Sequence, residues 1–179
     1  MMKNSELNRI PSIELQLLKW LSLVDSNLIP GCVELVRGGS RVYIKRARQN
    51  LAGFDDDVKV LTLSNVQVNQ RLKGKGWFTG FLDLCDELNP WSATYVESVE
   101  NTRLPPFLRR QGFIELQYQN FYRPSKSWRS RHSWTTQIAA DAQACADRSH
   151  VRSLLDDPVA VAGLALELAR GVFRPTTVR

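Results

Sequence analysis

The chain has 179 residues, of which 43% are hydrophobic, which is enough for one well-buried core with an appendage and short for two. The N-terminal stretch is polar and no apolar run approaches the roughly 18 residues of a membrane span, so we expect a soluble, cytoplasmic protein without a secretory signal. Three scattered cysteines and two histidines argue against a disulfide framework and a zinc site, while the net charge of +6 predicts an anionic partner.

The first half of the chain has the pattern of a helix followed by antiparallel strands. Ser12 precedes apolar residues at helical spacing, which predicts a capped helix as far as Val24. Two alternating segments surround residues 38–40, a Gly-Gly-Ser sequence typical of a β-hairpin. A run rich in β-branched residues predicts another strand over about 58–68.

The middle of the chain alternates helices and strands. We predict a helix over 77–88, a strand over 93–100, a short helix ending at Gly112 and one strand over 113–122. A helix between two neighbouring strands makes that strand pair parallel. The sequence therefore predicts a mixed α/β sheet with helices on both faces.

The character of the sequence changes after this predicted sheet. Residues 123–134, "RPSKSWRSRHSW", are basic and aromatic without an apolar period, which we interpret as a loop or linker. Two helical patterns follow, the second over 156–171. We therefore predict a main domain over 1–122, a basic aromatic linker over 123–134 and a helical C-terminal extension over 135–179. The extension could pack on the domain or form a homodimer.

The stretch "RLKGKGWFTG", residues 71–80, places an arginine, two lysines and three glycines before the predicted helix. Backbone N–H groups at a helix start lack partners and carry the positive end of the helix dipole, so this turn can bind a phosphate. A Walker loop is excluded because no Gly-Lys-Ser/Thr is present, and a dinucleotide fingerprint needs glycine where Thr79 stands. The alternative is that the glycines only turn the chain.

Read as R-x-x-G-x-G, residues 71–76 resemble the pyrophosphate-binding motif of the GNAT superfamily of acyl-CoA-dependent N-acyltransferases. Val66 stands at the apolar position of the strand that pairs with pantetheine in that family, and residues 101–113 resemble its second cofactor segment. The likeness covers about residues 32–122. It implies a GNAT-like fold, a mixed and mostly antiparallel sheet flanked by helices.

The resemblance implies an N-acyltransferase, most simply an acetyltransferase, in which an amine attacks the thioester of acetyl-CoA or another acyl-CoA directly in a ternary complex. The class of amine acceptor is not indicated by the sequence, and no membrane partner is expected. The cofactor-binding residues that the resemblance implies are Val66, Val68, Arg71, Leu72, Lys73, Gly74, Lys75, Gly76 and Asn101.

The catalytic groups match the family less well. The resemblance implies a tyrosine acid in the second segment, at the position of Leu108, and Tyr118 or Tyr122 is a possible substitute. Glu97 and Glu100, on the predicted strand, are the candidate bases. We assign Glu97 and Tyr118 as candidate catalytic residues. The alternative is a solvent-facing carboxylate and a packed strand aromatic.

A second hypothesis is a GNAT-like binding protein with weakened catalysis. Interleaved tryptophan and arginine in residues 123–134 could stack on bases and contact phosphates of a nucleic acid. The alternative is a solvated linker whose tryptophans pack on the domain.

Overall fold

The computed structural model describes residues 2–132 and 134–156, which form a six-stranded sheet flanked by helices. The strands are β1 (Cys32–Arg37), β2 (Ser40–Gln49), β3 (Val58–Gln67), β4 (Ala93–Val96), β5 (Ile114–Leu116) and β6 (Asn120–Pro124). The helices are α1 (Asn4–Leu7), α2 (Ile13–Val24), α3 (Trp77–Leu88), α4 (Leu104–Arg110), α5 (Lys126–His132) and α6 (Thr136–Asp156). The strand order is β1-β2-β3-β4-β6-β5, which confirms the predicted mixed, mostly antiparallel sheet.

The β3–β4 pair is parallel because α3 carries the chain back across the sheet between them. The two strands pair from Val60 and Ala93 to Leu63 and Val96, and the N–H of Glu97 then donates to the carbonyl of Leu63 at 3.1 Å. Beyond this bond β3 continues while the chain after β4 turns away. We call this point of separation the fork.

A β-bulge lies at the fork. Ile44 of β2 pairs with Leu63 of β3 and the next pair is Tyr43 with Asn65, so Ser64 is an extra residue in β3. A bulge increases local twist and redirects the strand that carries it. The bulge thus turns the end of β3 away from β4 at the place where their pairing stops.

Helices cover both faces of the sheet, as predicted. The first core contains Trp20 of α2, Phe81 of α3 and Leu108 of α4, all buried against one face. The second core lies on the opposite face, where Ala142 of α6 packs with Tyr95 and other buried residues. The start of α2 also follows the sequence prediction, since the Ser12 hydroxyl accepts a hydrogen bond from the N–H of Leu15 at 3.2 Å.

Glutamine side chains pair with both edge strands. The amide of Gln16 accepts from the N–H of Val36 at 3.0 Å and donates to its carbonyl at 3.1 Å, on β1. On β5, Gln143 of α6 accepts from the N–H of Glu115 at 2.9 Å and donates to its carbonyl at 3.2 Å. Each amide replaces one residue of a missing neighbouring strand, which satisfies edge groups and blocks edge-to-edge pairing.

We expect Gln16→Ala to lower the free energy of unfolding by about 2–4 kcal/mol, because it leaves two backbone groups of Val36 unpaired beside a fully buried position. Urea titration followed by circular dichroism measures this change. Lys19→Ala, an exposed site on the same helix, is the matched control and should change stability by less than about 0.5 kcal/mol. Equal stabilities of the two variants would contradict the edge-pairing role.

Two strand predictions were wrong. Residues 113–122 do not form one strand but the β5–β6 hairpin, whose turn places Tyr118 and Gln119 at φ values of 58° and 56°. The predicted strand 93–100 ends at Val96, and Ser98 has a φ of 53°. Both corrections have the same physical cause, because the N–H of Val99 donates to the carbonyl of Gln119 at 3.0 Å and fixes these turns together.

The interpretation of residues 123–134 as a loop or linker was also wrong. The chain completes β6 at Pro124 and then forms α5. An apolar period is absent because ion pairs attach α5 to α3, from Lys126 to Glu87 and from Arg129 to Asp86 at 2.7 Å. The predicted first C-terminal helix corresponds to α6, whereas the second predicted helix lies outside the described residues apart from its first residue.

Within the described residues, no helix is both long enough and apolar enough to cross a membrane.

Candidate functional site

A groove of about 1070 Å³ runs from the fork along the end of β3 to the starts of α3 and α4. It brings together seven of the nine residues predicted to hold a cofactor, namely Val66, Val68, Leu72, Lys73, Gly74, Gly76 and Asn101. Arg71 and Lys75 do not line it. Of the three cations in this turn, only Lys73 therefore lines the groove.

The glycine turn presents backbone N–H groups to this groove. Gly74 and Gly76 have φ values of 71° and 78°, a conformation that side chains disfavour, and Gly76 is the residue before α3. In the part of the chain that the structure describes, no side chain caps α3, and the N–H groups of Gly74, Gly76, Trp77 and Phe78 donate no hydrogen bond. Unpaired amides and the positive end of a helix dipole favour an anionic ligand at such a position.

Asn69 holds this turn against the β1–β2 hairpin, a role that the sequence analysis missed. Its N–H donates to Ser40 Oγ at 2.9 Å, its amide donates to the carbonyl of Gly38 at 2.6 Å, and its Oδ1 accepts from the N–H of Arg71 at 2.8 Å. The last of these bonds is a local turn typical of asparagine, which was the available sequence signal.

The charge in the groove is positive. Lys73 and Arg103 line it, and among the described lining residues there is no aspartate or glutamate. Neither cation forms an ion pair with a described carboxylate. Uncompensated cations beside free helix amides favour a ligand with more than one anionic group.

Beyond the fork, no other strand of the described residues pairs with the outer edge of β3, which we call its free edge. Its other side pairs with β2 as far as Gln67, but β4 no longer follows it past Leu63. Asn65, Val66 and Gln67 of this segment line the groove. A strand edge of this kind offers alternate N–H and C=O groups, which suit an extended ligand that carries its own amides.

Glu97 lies at the fork. Its carboxylate accepts from Lys45 Nζ at 2.9 Å, and its side chain is 23% exposed. Lys45 follows Ile44, which points into the first core, so alternation places Lys45 and its partner on the other face of the sheet. Glu97 therefore sits at the apex of the fork, on the face opposite α3 and α4.

The two tyrosines that are candidate acids differ in their burial. Tyr122 is buried and its hydroxyl donates to the carbonyl of Ala52 at 2.6 Å. Burial also raises its pKa far above the usual value, and both features disfavour an acid role. Tyr118 is 80% exposed at the β5–β6 turn and does not line the groove. Leu108, at the family's acid position, is completely buried in the first core, whereas Phe107 lines the groove.

Most cations of the predicted basic linker are already paired. Arg129 binds Asp86 at 2.7 Å, Arg123 approaches the same carboxylate at 3.7 Å, and Lys126 binds Glu87. These cations could contact phosphates only after their ion pairs with Asp86 and Glu87 were broken. The nucleic-acid hypothesis therefore loses much of the free charge on which it depended.

The aromatic residues of this segment pack within the protein. Trp128 lies with its ring centroid 4.5 Å from that of Phe54 and stacks on His132 at 4.2 Å. Trp134 packs at 5.4 Å from Trp128. This packing corresponds to the alternative in which the tryptophans serve the domain rather than bases of a nucleic acid.

No protein-family model matches the sequence, and no curated protein is significantly similar to it. Among solved structures, a tyrosine-to-phenylalanine mutant of the AtaT toxin, bound to the C-terminus of the antitoxin AtaR and acetyl-CoA, has a TM-score of 0.42 and 17% identity, over 53% of this chain and 64% of its own. AtaT complexed with acetyl-methionyl-tRNAfMet has a TM-score of 0.44 and 16% identity, over 68% and 88%.

A tyrosine-to-phenylalanine mutant of KacT has a TM-score of 0.42 and 13% identity, over 72% of this chain and 94% of its own. The first of these three structures is thus matched over less than two thirds of its length. Similarity at this level carries no argument about the site residues, activity or partners of this chain.

Proposed function

We propose that this protein is an acyl-CoA-dependent N-acyltransferase, most simply an acetyltransferase. The observation that carries the proposal is one continuous groove, which joins unpaired amides at the start of α3 to the free edge of β3 and contains no described carboxylate. A pyrophosphate linked to an extended chain of amides is complementary to both parts.

The residues present fit such a ligand. The amides of Gly74 and Gly76, with Lys73, would hold the pyrophosphate. The free edge at Val66 of β3, and Val68 just beyond the end of β3, would pair with the pantetheine amides. Asn101 lies beside them on the groove wall. Bound acyl-CoA supplies a thioester whose carbonyl carbon is attacked by an amine and whose thiolate departs.

The chain's own contribution at the fork is proton acceptance. We propose that Glu97 takes the proton of the attacking amine as the N–C bond forms and the C–S bond breaks, and later releases it to water. Lys45 orients this carboxylate. A departing thiol has a pKa near ~8.5 and leaves tolerably as thiolate, so a strong acid is not required. Tyr118 remains a candidate for a hydrogen bond to that thiolate.

The position of Glu97 also suggests the side of the sheet from which the amine acceptor reaches the fork. Because Glu97 and Lys45 lie on the face opposite α3 and α4, we propose that the amine reaches the fork from that face while the acyl donor occupies the groove.

Calorimetric titration with acetyl-CoA tests the proposal. We expect binding in the micromolar range and a loss of at least about tenfold in Lys73→Glu, because the reversed charge faces the pyrophosphate site. Lys75→Glu is the matched control, since it makes the same charge change in the same turn outside the groove.

The two variants distinguish a direct contact between Lys73 and the ligand from attraction by the overall positive charge of the turn. Equal losses in Lys73→Glu and Lys75→Glu would show that only the overall field attracts the ligand. Absence of acetyl-CoA binding by the unmodified chain would overturn the proposal and leave the glycine turn as a structural feature.

A further inference from the structure

The groove has a second positive position that the pyrophosphate site does not use. Arg103 comes from the residue before α4, whereas Lys73 and the free amides come from the turn before α3. Arg103 was not among the residues predicted to hold a cofactor. Its place in the groove therefore needs a separate chemical explanation.

Several cations near Arg103 in the sequence are already held in ion pairs. Arg109 pairs with Glu115, and Arg123 and Arg129 share Asp86. Arg103 is exposed and forms no ion pair with a described carboxylate. It is therefore available to a ligand, and its planar guanidinium is suited to the paired oxygens of a phosphate.

Aromatic rings accompany this charge. Phe78 at the start of α3 and Phe107 of α4 line the groove with ring centroids 6.1 Å apart. Neither ring is fully buried, although both are large apolar side chains. Such rings offer faces on which a planar heterocycle can stack.

We propose that Arg103, with Phe78 and Phe107, recognises the 3′-phosphoadenosine end of the cofactor and selects CoA over ligands that lack the 3′-phosphate. The inference rests on the proposed function. The amides of the glycine turn account for the pyrophosphate, so the additional cation beside an aromatic wall corresponds to an additional phosphate carried next to a base. Arg103 is thus a specificity-determining residue.

The test compares acetyl-CoA with acetyl-3′-dephospho-CoA by calorimetry. For the unmodified chain we expect about tenfold tighter binding of acetyl-CoA, and a smaller ratio at higher salt because Arg103 is exposed. In Arg103→Ala we expect acetyl-CoA to bind as weakly as the dephospho ligand does to the unmodified chain, with no change for the dephospho ligand itself.

Arg110→Ala is the matched control, because Arg110 is an exposed cation of α4 that does not line the groove. It should preserve the affinity ratio. Equal affinities of the unmodified chain for the two ligands, or an unchanged ratio in Arg103→Ala, would overturn the role of Arg103 while leaving the proposed function intact. Failure of both ligands to bind the unmodified chain would instead overturn the proposed function.

Discussion

Glu97→Gln is expected to lower kcat/KM for acyl transfer about 10²- to 10⁴-fold, the range that a positioned proton acceptor contributes. The amide keeps the size of the side chain but cannot take the amine proton. Lys45 is partly exposed, so water can solvate it after the ion pair is lost. Release of free CoA thiol, measured with the amine acceptor that the unmodified chain acylates fastest, reports the rate.

The dissociation constant for acetyl-CoA should stay the same in Glu97→Gln, because this side chain lies outside the groove lining. Glu100→Gln is the control, since Glu100 was the other candidate base and is an exposed carboxylate with no ion pair to a described cation. The rate deficit of Glu97→Gln should shrink at high pH, because hydroxide can then take the amine proton in place of the missing carboxylate. A constant deficit across pH would indicate a structural effect instead.

Local sequence signals predicted the elements that carry the site. Helix α3 begins after Gly76 and ends before Asn89-Pro90, as predicted. The prediction succeeded because the glycine that precedes the helix and the proline that follows it are both local sequence signals. The β1–β2 turn was likewise predicted from Gly38 and Gly39, whose φ values of 56° and 78° suit a two-residue hairpin.

The missed turn lacked such signals. The β5–β6 turn uses Tyr118 and Gln119 at positive φ, where glycine or asparagine is typical. It is stabilised from elsewhere in the chain, because Ser98 donates its N–H to Asn120 Oδ1 at 2.9 Å. Tertiary contacts of this kind override local propensity, so a pattern read along 113–122 could not show the reversal.

Only the contiguous part of the candidate site could be predicted from the sequence. The glycine turn is a contiguous motif, and its anion-binding chemistry follows from backbone physics. By contrast, Lys45 and Glu97 are 52 positions apart, and Arg103 joins Lys73 only because the starts of α3 and α4 line the same groove. Such pairings depend on the fold and have no signature in a local window.

Leu108→Tyr is expected to destabilise the protein by about 2–5 kcal/mol without accelerating acyl transfer. The family resemblance places the tyrosine acid here, but Leu108 is 0% exposed in the first core. A larger ring overpacks this site and brings a hydroxyl with no partner, and each effect costs about 1–3 kcal/mol. Thermal unfolding should show a melting temperature lower by roughly 5–15 °C.

Phe107→Tyr is the comparison that separates packing from chemistry, because Phe107 is the neighbouring residue of α4 and faces the groove. Its added hydroxyl can reach solvent or ligand, so stability should change by less than about 1 kcal/mol. An added hydroxyl is therefore tolerated on α4 at position 107 and not at position 108. If Leu108→Tyr were as stable as the unmodified chain and faster, α4 would have to present position 108 to the groove in the working enzyme.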